Sequence, residues 1–382
     1  MIKIFKMSLA GLMFSVATIS SAGMITPNPT APSIAGTAHI LQDYDSGHIL
    51  MSENADERLP PASITKLMTS YVVSQEIHDG NIKLDDEVLI SEKAWRMIGS
   101  RSFIEVNTKV TVEALLRGMI VQSGNDAAVA LAEHVAGSEE VFAQMMNQYA
   151  QKLGMVNTNY QNATGLPGAE HYTTAHDIAI LSAALIRDFP EHYQWYAEKE
   201  YTYNGITQHN RNKLLWRDNT VDGLKTGHTE EAGYCLSASA KRDGMRLIAV
   251  VLGTASENAR AQEIQKMFNF GFRFFETHQL YAADEAITQT KVWKGQTDQL
   301  NLGLAQPLSI TVPRGRYKDL QASTNIQQPV VAPVAKGSEL GEVEIRLGDE
   351  VVATRMLVAV DEVEKGSWWR RILDSLLMLI WG

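Results

Sequence analysis

A serine and a lysine three residues apart are the first sign of chemistry in this sequence. In Ser63-Ile64-Thr65-Lys66 the spacing would bring both side chains to one face of a helix, within reach of each other. A serine hydroxyl needs an adjacent base to attack a carbonyl at neutral pH. Lysine can act as that base when burial and a nearby cation lower its pKa. A serine that caps a helix ahead of a solvated lysine is the structural alternative, which the tetrapeptide alone leaves open.

A second motif, Ser123-Gly124-Asn125, lies in a polar break between predicted helices over residues 112–120 and 127–135. The same Ser-x-Asn pattern occurs at Ser52 and Ser256, where helix capping would explain it. The case for a functional Ser123 therefore depends less on the Ser-x-Asn pattern than on its position, at a turn between helices dense in small residues.

A third motif, Lys225-Thr226-Gly227, enters a predicted hairpin. A cation, a hydroxyl and a residue without a side chain together make a suitable edge for binding a carboxylate along a strand. An ordinary turn is the alternative for this tripeptide alone. The fixed order of the three motifs along the chain makes a shared site the stronger interpretation.

The elements that would position these motifs form a mixed α/β (α+β) pattern over residues 34–277. Pro60 and Pro61 suit the start of a helix whose apolar residues recur at helical spacing. Residues 234–240 and 245–253 are predicted as strands joined by the turn Asp243-Gly244, and residues 258–276 as a long helix. Residues 280–363 are predicted as a small all-β domain, because short β-prone runs alternate there with glycine, proline and polar turns.

The two ends of the chain carry signals of export and of membrane contact. Residues 1–22 resemble a removable signal peptide, with Lys3 and Lys6 ahead of an apolar stretch that ends at Ser20-Ser21-Ala22. Residues 367–382 predict an amphipathic helix, too short and too charged to span a bilayer but suited to its surface. Packing of this helix on the protein or on a second subunit is the alternative. Its predicted apolar face carries Trp369, Ile372, Leu373, Leu376 and Ile380.

Composition narrows the classes of function. The 382 residues carry a formal charge of −10, which argues against a nucleic-acid binder that neutralises phosphates. Cys235 is the only cysteine, so the chain has neither an internal disulfide nor a cysteine-based zinc site. The sequence also lacks His-Glu-x-x-His, so we expect neither a catalytic metal nor another cofactor.

Ser-x-x-Lys, Ser-x-Asn and Lys-Thr-Gly in this order are the motif set of penicillin-binding proteins and related β-lactamases. With its flanks, Asn54 to Ser63, Val121 to Ala127 and Val221 to Thr229, the chain resembles the D-alanyl-D-alanine carboxypeptidases among the low-molecular-mass penicillin-binding proteins. The resemblance implies a β-lactamase/transpeptidase-like domain with an antiparallel sheet and helices, then a small β domain and a C-terminal anchor.

The resemblance also implies a role for each catalytic residue. Ser63 would attack the carbonyl between the two terminal D-alanines of a peptidoglycan stem peptide, and Lys66 would be its base, with a pKa lowered by burial and by Lys225. Ser123 would relay a proton to the departing D-alanine, and Asn125 would orient Lys66 and the substrate amide.

Substrate binding is assigned in the same way to the third motif and its surroundings. Lys225 and Thr226 of Lys225-Thr226-Gly227 would hold the terminal carboxylate, and the backbone N–H groups of Ser63 and His228 would form an oxyanion hole. Arg260 matches a family arginine near the carboxylate, and a solvated helix position is its alternative. Arg211 is a weaker candidate, while His171, Thr173 and Thr174 lie in a stretch near the family's pocket without an assigned role.

The resemblance implies an exported enzyme on the periplasmic side of the inner membrane, inhibited by β-lactams. No equivalent of the deacylating glutamate of class A β-lactamases is evident, so a β-lactam should leave Ser63 slowly. A β-lactamase or esterase using the same serine is one alternative. A non-catalytic envelope scaffold is the other.

Overall fold

A five-stranded antiparallel sheet forms the centre of the N-terminal region. The computed structural model describes residues 30–381, so the predicted signal peptide lies outside the described residues. The strands of this sheet are β1 (Ala38–Asp43), β2 (Ile49–Glu53), β7 (Val221–Thr229), β8 (Gly233–Arg242) and β9 (Met245–Thr254). Their order is β2-β1-β9-β8-β7, which leaves β7 and its Lys-Thr-Gly motif at one edge. Two short hairpins, β3 (Glu87–Leu89) with β4 (Lys109–Thr111) and β5 (Glu200–Tyr203) with β6 (Ile206–His209), lie outside it.

Helices cover both faces of the sheet. They are α1 (Lys66–His78), α2 (Glu92–Trp95), α3 (Val112–Val121), α4 (Asn125–Ala136), α5 (Glu139–Leu153), α6 (Ala175–Asp188), α7 (Pro190–Tyr193), α8 (Leu214–Arg217) and α9 (Glu257–Phe274). Successive residues of a strand point to opposite faces. Accordingly Val250 of β9 packs in one core with α1 and α3 to α6, while its neighbour Val251 packs in a second core with α9.

The C-terminal region is all β and has its own apolar core. Its strands are β10 (Phe275–Tyr281), β11 (Thr288–Trp293), β12 (Gln299–Gly303), β13 (Leu308–Pro313), β14 (Leu320–Ile326), β15 (Val330–Val331), β16 (Glu339–Leu347) and β17 (Glu350–Ala359). β10 pairs with β13, and the others form a sheet in the order β14-β16-β17-β12-β11-β15. This arrangement confirms the predicted class, a mixed α+β region followed by a β region.

One helix ends earlier than the sequence predicts. The helix predicted over residues 258–276 ends at Phe274, and Phe275 starts strand β10. Phe275 pairs with Pro313 of β13, and this pairing holds the backbone in an extended conformation from Phe275 onward. The Arg314 guanidinium donates to the Phe272 and Phe275 carbonyls at 2.8 and 3.1 Å, which satisfies acceptors at the helix end.

The last described element is helix α10 (Trp368–Trp381), close to the predicted bounds. Polar residues connect it to the C-terminal region: the Lys294 backbone N–H donates to the Asp374 carboxylate at 2.5 Å, and Arg370 pairs with Asp298. Trp369 and Leu373 of its apolar face are exposed. Among residues 30–381 we find no helix with both the length and the apolar character needed to cross a membrane.

Candidate active site

Ser63 lies in a short 3-10 turn, Ala62–Thr65, directly ahead of α1. The sequence predicts Ser63 and Lys66 on one face of a helix, but α1 begins only at Lys66 and Ser63 precedes it. Ala62 adopts a positive φ of 46°, which sets the entry into the turn. Ser63 is half-buried, whereas the other residues of the turn, Ala62, Ile64 and Thr65, are buried. The hydroxyl is thus presented at the mouth of a buried turn.

The Lys66 ammonium group is buried and held by three oxygens. Nζ lies 3.1 Å from Ser63 Oγ, 2.7 Å from Asn125 Oδ1 and 2.5 Å from the Thr164 carbonyl oxygen. Only 1% of the residue is exposed. An amide oxygen and a backbone carbonyl only accept hydrogen bonds. In the neutral amine, the Asn125 and Thr164 oxygens therefore accept from the two N–H groups of Nζ. The lone pair of the nitrogen is then left to face Ser63 Oγ.

The surroundings of Lys66 favour that neutral amine near physiological pH. Burial, reinforced by the positive charge of Arg211, lowers the pKa of Lys66 to about 7, while Asp126 and Glu139 oppose the shift. Desolvation disfavours the charged form of a lysine, which explains the direction. Arg211 therefore adds to the positive potential at Lys66, and the repulsion between Lys66 and Lys225 acts in the same direction.

Helix α4 begins at the second motif and directs Asn125 toward Lys66. Asn125 Nδ2 donates to the Ile98 carbonyl at 2.6 Å, which leaves Oδ1 to face the lysine. Ser123 adopts a positive φ of 71° in the tight turn before α4. Its Oγ is buried and has no hydrogen-bond partner among the described residues. A buried hydroxyl without a partner is costly, so this one is available to a ligand in the cleft.

The third motif lies along edge strand β7 and faces the nucleophile turn. Lys225 and Thr226 are buried at 3% and 5% exposure. Burial, with the charges of Lys66, Arg211 and Arg260, lowers the pKa of Lys225 well below its ordinary value. A carboxylate beside it would restore the charged form.

Gly227 lets the strand approach the turn closely. A Cβ at this position would lie 3.0 Å from the Pro61 carbonyl oxygen and 3.2 Å from Ala62 Cβ. A side chain would therefore push β7 away from Ser63. This contact is a physical reason for glycine as the third residue of the motif.

The remaining predicted residues surround the same cleft. His228 is exposed and stacks on Tyr234 at 3.9 Å between ring centroids. Arg260 is 3% exposed rather than solvated, and it donates to the Gly227 carbonyl at 3.0 Å. Cavities of about 310 and 140 Å³ adjoin Ser63, and Arg211 and His228 line both. A larger cavity of about 610 Å³, lined by residues such as Arg242 and Arg314, contains none of the three motifs.

Three contributors to the site escaped sequence reasoning. Thr164 acts through its backbone carbonyl, which carries no side-chain signal. Glu139 Oε1 accepts from the Ala163 N–H at 3.1 Å and so holds the loop that carries Thr164. Asp126, directly after the second motif, is fully buried. Its carboxylate accepts from the backbone N–H groups of Ser102 and Ala127 at 2.8 and 2.9 Å.

Replacing Asp126 with asparagine should destabilise the protein. The bonds from the Ser102 and Ala127 N–H groups both end on Oδ1, which an asparagine can keep, but its NH₂ group would then face the Ile104 N–H, whose nitrogen lies 3.4 Å from Oδ2. A buried donor left without an acceptor costs about 1–3 kcal/mol. Urea denaturation of the variant measures this loss in the free energy of unfolding. Asp85→Asn, at an exposed carboxylate, is the matched control. An Asp126→Asn variant as stable as the control would show that the second carboxylate oxygen does not contribute to holding the segment at Ile104.

Comparisons with known proteins agree with the geometry. The D-alanyl-D-alanine carboxypeptidase family matches residues 25–256, and the C-terminal domain of penicillin-binding protein 5 matches residues 275–365. The D-alanyl-D-alanine carboxypeptidase DacC of Escherichia coli K12 is 45% identical over 356 residues, 91% of this chain and 89% of DacC. DacA of the same strain is 40% identical over 381 residues, 97% of this chain and 94% of DacA.

A solved structure gives the same result. Penicillin binding protein 5 from Haemophilus influenzae superposes with a TM-score of 0.85 at 42% identity, over 88% of this chain and 100% of the other. Since the family match spans more than half of the chain and these relatives span nearly all of it, the chain belongs to the D-alanyl-D-alanine carboxypeptidase family.

Proposed function

We propose that this enzyme removes the terminal D-alanine from peptidoglycan pentapeptides through an acyl-enzyme on Ser63. The observation that carries the proposal is the Lys66 amine, buried beside the serine hydroxyl with its two other partners fixed. As Ser63 Oγ attacks the carbonyl between the two D-alanines, Lys66 Nζ accepts the hydroxyl proton. The C–N bond then breaks as Ser123 Oγ gives its proton to the departing amine, and Ser123 regains a proton from the protonated Lys66. Water hydrolyses the resulting ester and regenerates Ser63.

The cleft supplies charge where the substrate needs it. Lys225 and Thr226 would bind the terminal carboxylate, and Arg211 and Arg260 would add positive potential at the same end. The backbone N–H groups of Ser63 and His228 would stabilise the oxyanion, each by roughly 3 kcal/mol. Asn125 would orient both Lys66 and the substrate amide.

A β-lactam should acylate the same serine and leave slowly. The described residues that line the two cavities at Ser63 include one carboxylate, Glu257, and its oxygen pairs with Lys213 Nζ at 2.9 Å. No free carboxylate is thereby offered to activate a deacylating water, in contrast to class A β-lactamases. This feature favours a penicillin-sensitive peptidase over a β-lactamase.

The direct test of the function is release of D-alanine from a pentapeptide by the purified chain. We expect release that stops when penicillin is added. Turnover of penicillin without a lasting adduct would instead favour a β-lactamase. Absence of both D-alanine release and penicillin acylation would favour a non-catalytic scaffold.

We further infer that the enzyme is exported and is held on the periplasmic side of the inner membrane by α10. Trp368 and Trp369 are 58% and 66% exposed, and Leu373 and Leu376 are each 57% exposed. Such an apolar face beside basic residues suits insertion into the headgroup region of a bilayer. The proposed leader, residues 1–22, would direct the chain across that membrane.

Deletion of residues 367–382 should release the protein from membranes without abolishing peptide cleavage. Sedimentation with vesicles of anionic phospholipids measures binding, and D-alanine release measures activity. Leu373→Glu should weaken binding because it places a charge in the apolar face. Val351→Glu, at an apolar position of the C-terminal region that is 41% exposed, is the control. Undiminished sedimentation of the deletion variant would refute the anchor.

A further inference from the structure

A buried histidine outside the proposed mechanism connects two segments that carry catalytic atoms. His171 is 5% exposed, and its Nε2 lies 2.8 Å from Oγ1 of Thr65, in the 3-10 turn between Ser63 and Lys66. On the other side, the backbone N–H of Gln161 donates to His171 Nδ1 at 3.0 Å. Nδ1 must therefore be an acceptor, so Nε2 carries the proton and donates to Thr65.

The segment that contains Gln161 leads into the carbonyl that contacts Lys66. Thr69 Oγ1 donates to the Ala163 carbonyl at 2.7 Å, and the next carbonyl along the chain, that of Thr164, accepts from Lys66. Gly165 then passes directly over the nucleophile turn. A Cβ there would lie 1.8 Å from the Ala62 carbonyl oxygen and 2.9 Å from Thr65 Oγ1. The loop of residues 161–166 is therefore seated on the turn, with His171 bonded to both.

The state of the imidazole fits this connecting role. Burial, together with the charge of Lys66, lowers the pKa of His171 to about 4, so the ring stays neutral at physiological pH. A neutral ring keeps one donor and one acceptor, which matches its two partners. Tyr160 meets the ring edge-on at 5.8 Å between centroids and fixes its plane.

We propose that His171 is a positioning residue of the acyl-transfer reaction. It holds the 161–166 loop against the nucleophile turn, so that the Thr164 carbonyl and Ser63 stay on opposite sides of Lys66 Nζ. Without this connection, Lys66 loses a fixed acceptor, and water enters its surroundings. The inference rests on the proposed role of Ser63 and Lys66, but it concerns a residue that contacts neither substrate nor reacting atoms.

The test uses the rate at which penicillin acylates the full chain, measured against pH. His171→Ala should lower this rate roughly 10- to 100-fold, since small misplacements of reacting groups have effects of this size. In this variant the acid limb of the pH–rate profile should also move to higher pH, because a more solvated Lys66 has a higher pKa. His171→Asn retains the acceptor for Gln161, and His171→Gln retains the donor to Thr65. Each should keep more activity than His171→Ala.

Thr65→Val removes only the hydroxyl that His171 contacts. It tests the same connection if the His171→Ala variant does not fold. It should slow acylation in the same direction, and the Thr65→Val/His171→Gln double variant should lose less than the product of the single losses. His176→Ala, at a half-exposed histidine paired with Asp56, is the control. Wild-type rates and an unchanged acid limb in His171→Ala would overturn the proposal. The proposal would also be overturned if the loss in the double variant equalled the product of the two single losses. An inactive wild-type chain would instead refute the proposed function itself.

Discussion

Replacing Ser63 with alanine is expected to lower the rate of D-alanine release from a pentapeptide by roughly 10⁴-fold or more. The hydroxyl oxygen is the atom that would form the acyl-enzyme, and no neighbouring group can replace it in that role. The 3-10 turn should remain folded, because Ile64 and Thr65, rather than the half-buried Ser63, pack into the core. The loss should therefore appear in turnover and not in thermal stability.

The same variant should form no covalent adduct with penicillin. Ser52→Ala is the control, since Ser52 is exposed on strand β2 and lies outside the three motifs of the site. It should retain both D-alanine release and acylation. Substantial release by Ser63→Ala would mean that another residue is the nucleophile.

Replacing Lys66 with methionine should reduce acylation by roughly 10²- to 10⁴-fold, the usual contribution of a general base. Methionine fills much of the same volume but cannot accept the Ser63 proton. In the wild-type enzyme the acylation rate should rise as pH increases through about 7, because the pKa of Lys66 lies there and only the free amine is a base. Below that pH the ammonium form predominates, and the rate falls.

Lys66→Arg separates charge from basicity. Arginine keeps the positive charge at all accessible pH values and cannot act as a base, so this variant should also be slow. The measurement is the rate of penicillin acylation by stopped-flow mixing at several pH values, with D-alanine release in parallel. A wild-type rate that stays flat across neutral pH, or a fast Lys66→Arg variant, would contradict the assignment of Lys66 as the base.

The sequence predicted those parts of the site that depend on side-chain type and order. Three motifs far apart in the chain lie around one cleft, and Arg260, whose sequence interpretation was open, proves buried against β7. Apolar residues at helical spacing, such as Ile64, Leu67 and Met68, also predicted the helix behind the nucleophile, and all three are buried. Side-chain periodicity and composition carry this information directly.

Backbone contributions could not be predicted in the same way. The Thr164 carbonyl has no residue signature, and its place beside Lys66 depends on a loop held by Glu139 and Thr69 from two different helices. The 3-10 geometry at Ser63 likewise follows from tertiary packing, since Gly165 and Gly227 approach that turn from two sides. The end of α9 likewise depends on tertiary structure, because the pairing of Phe275 with strand β13 stops the helix there.

The most direct test of the central claim is to mix the purified chain with benzylpenicillin, digest it and map the adduct by mass spectrometry. We predict a single, long-lived adduct that carries the whole antibiotic on the peptide containing Ser63, formed at the expense of D-alanine release. An adduct on another residue, or none at all while a pentapeptide is still cleaved, would contradict the account of Ser63 as the nucleophile.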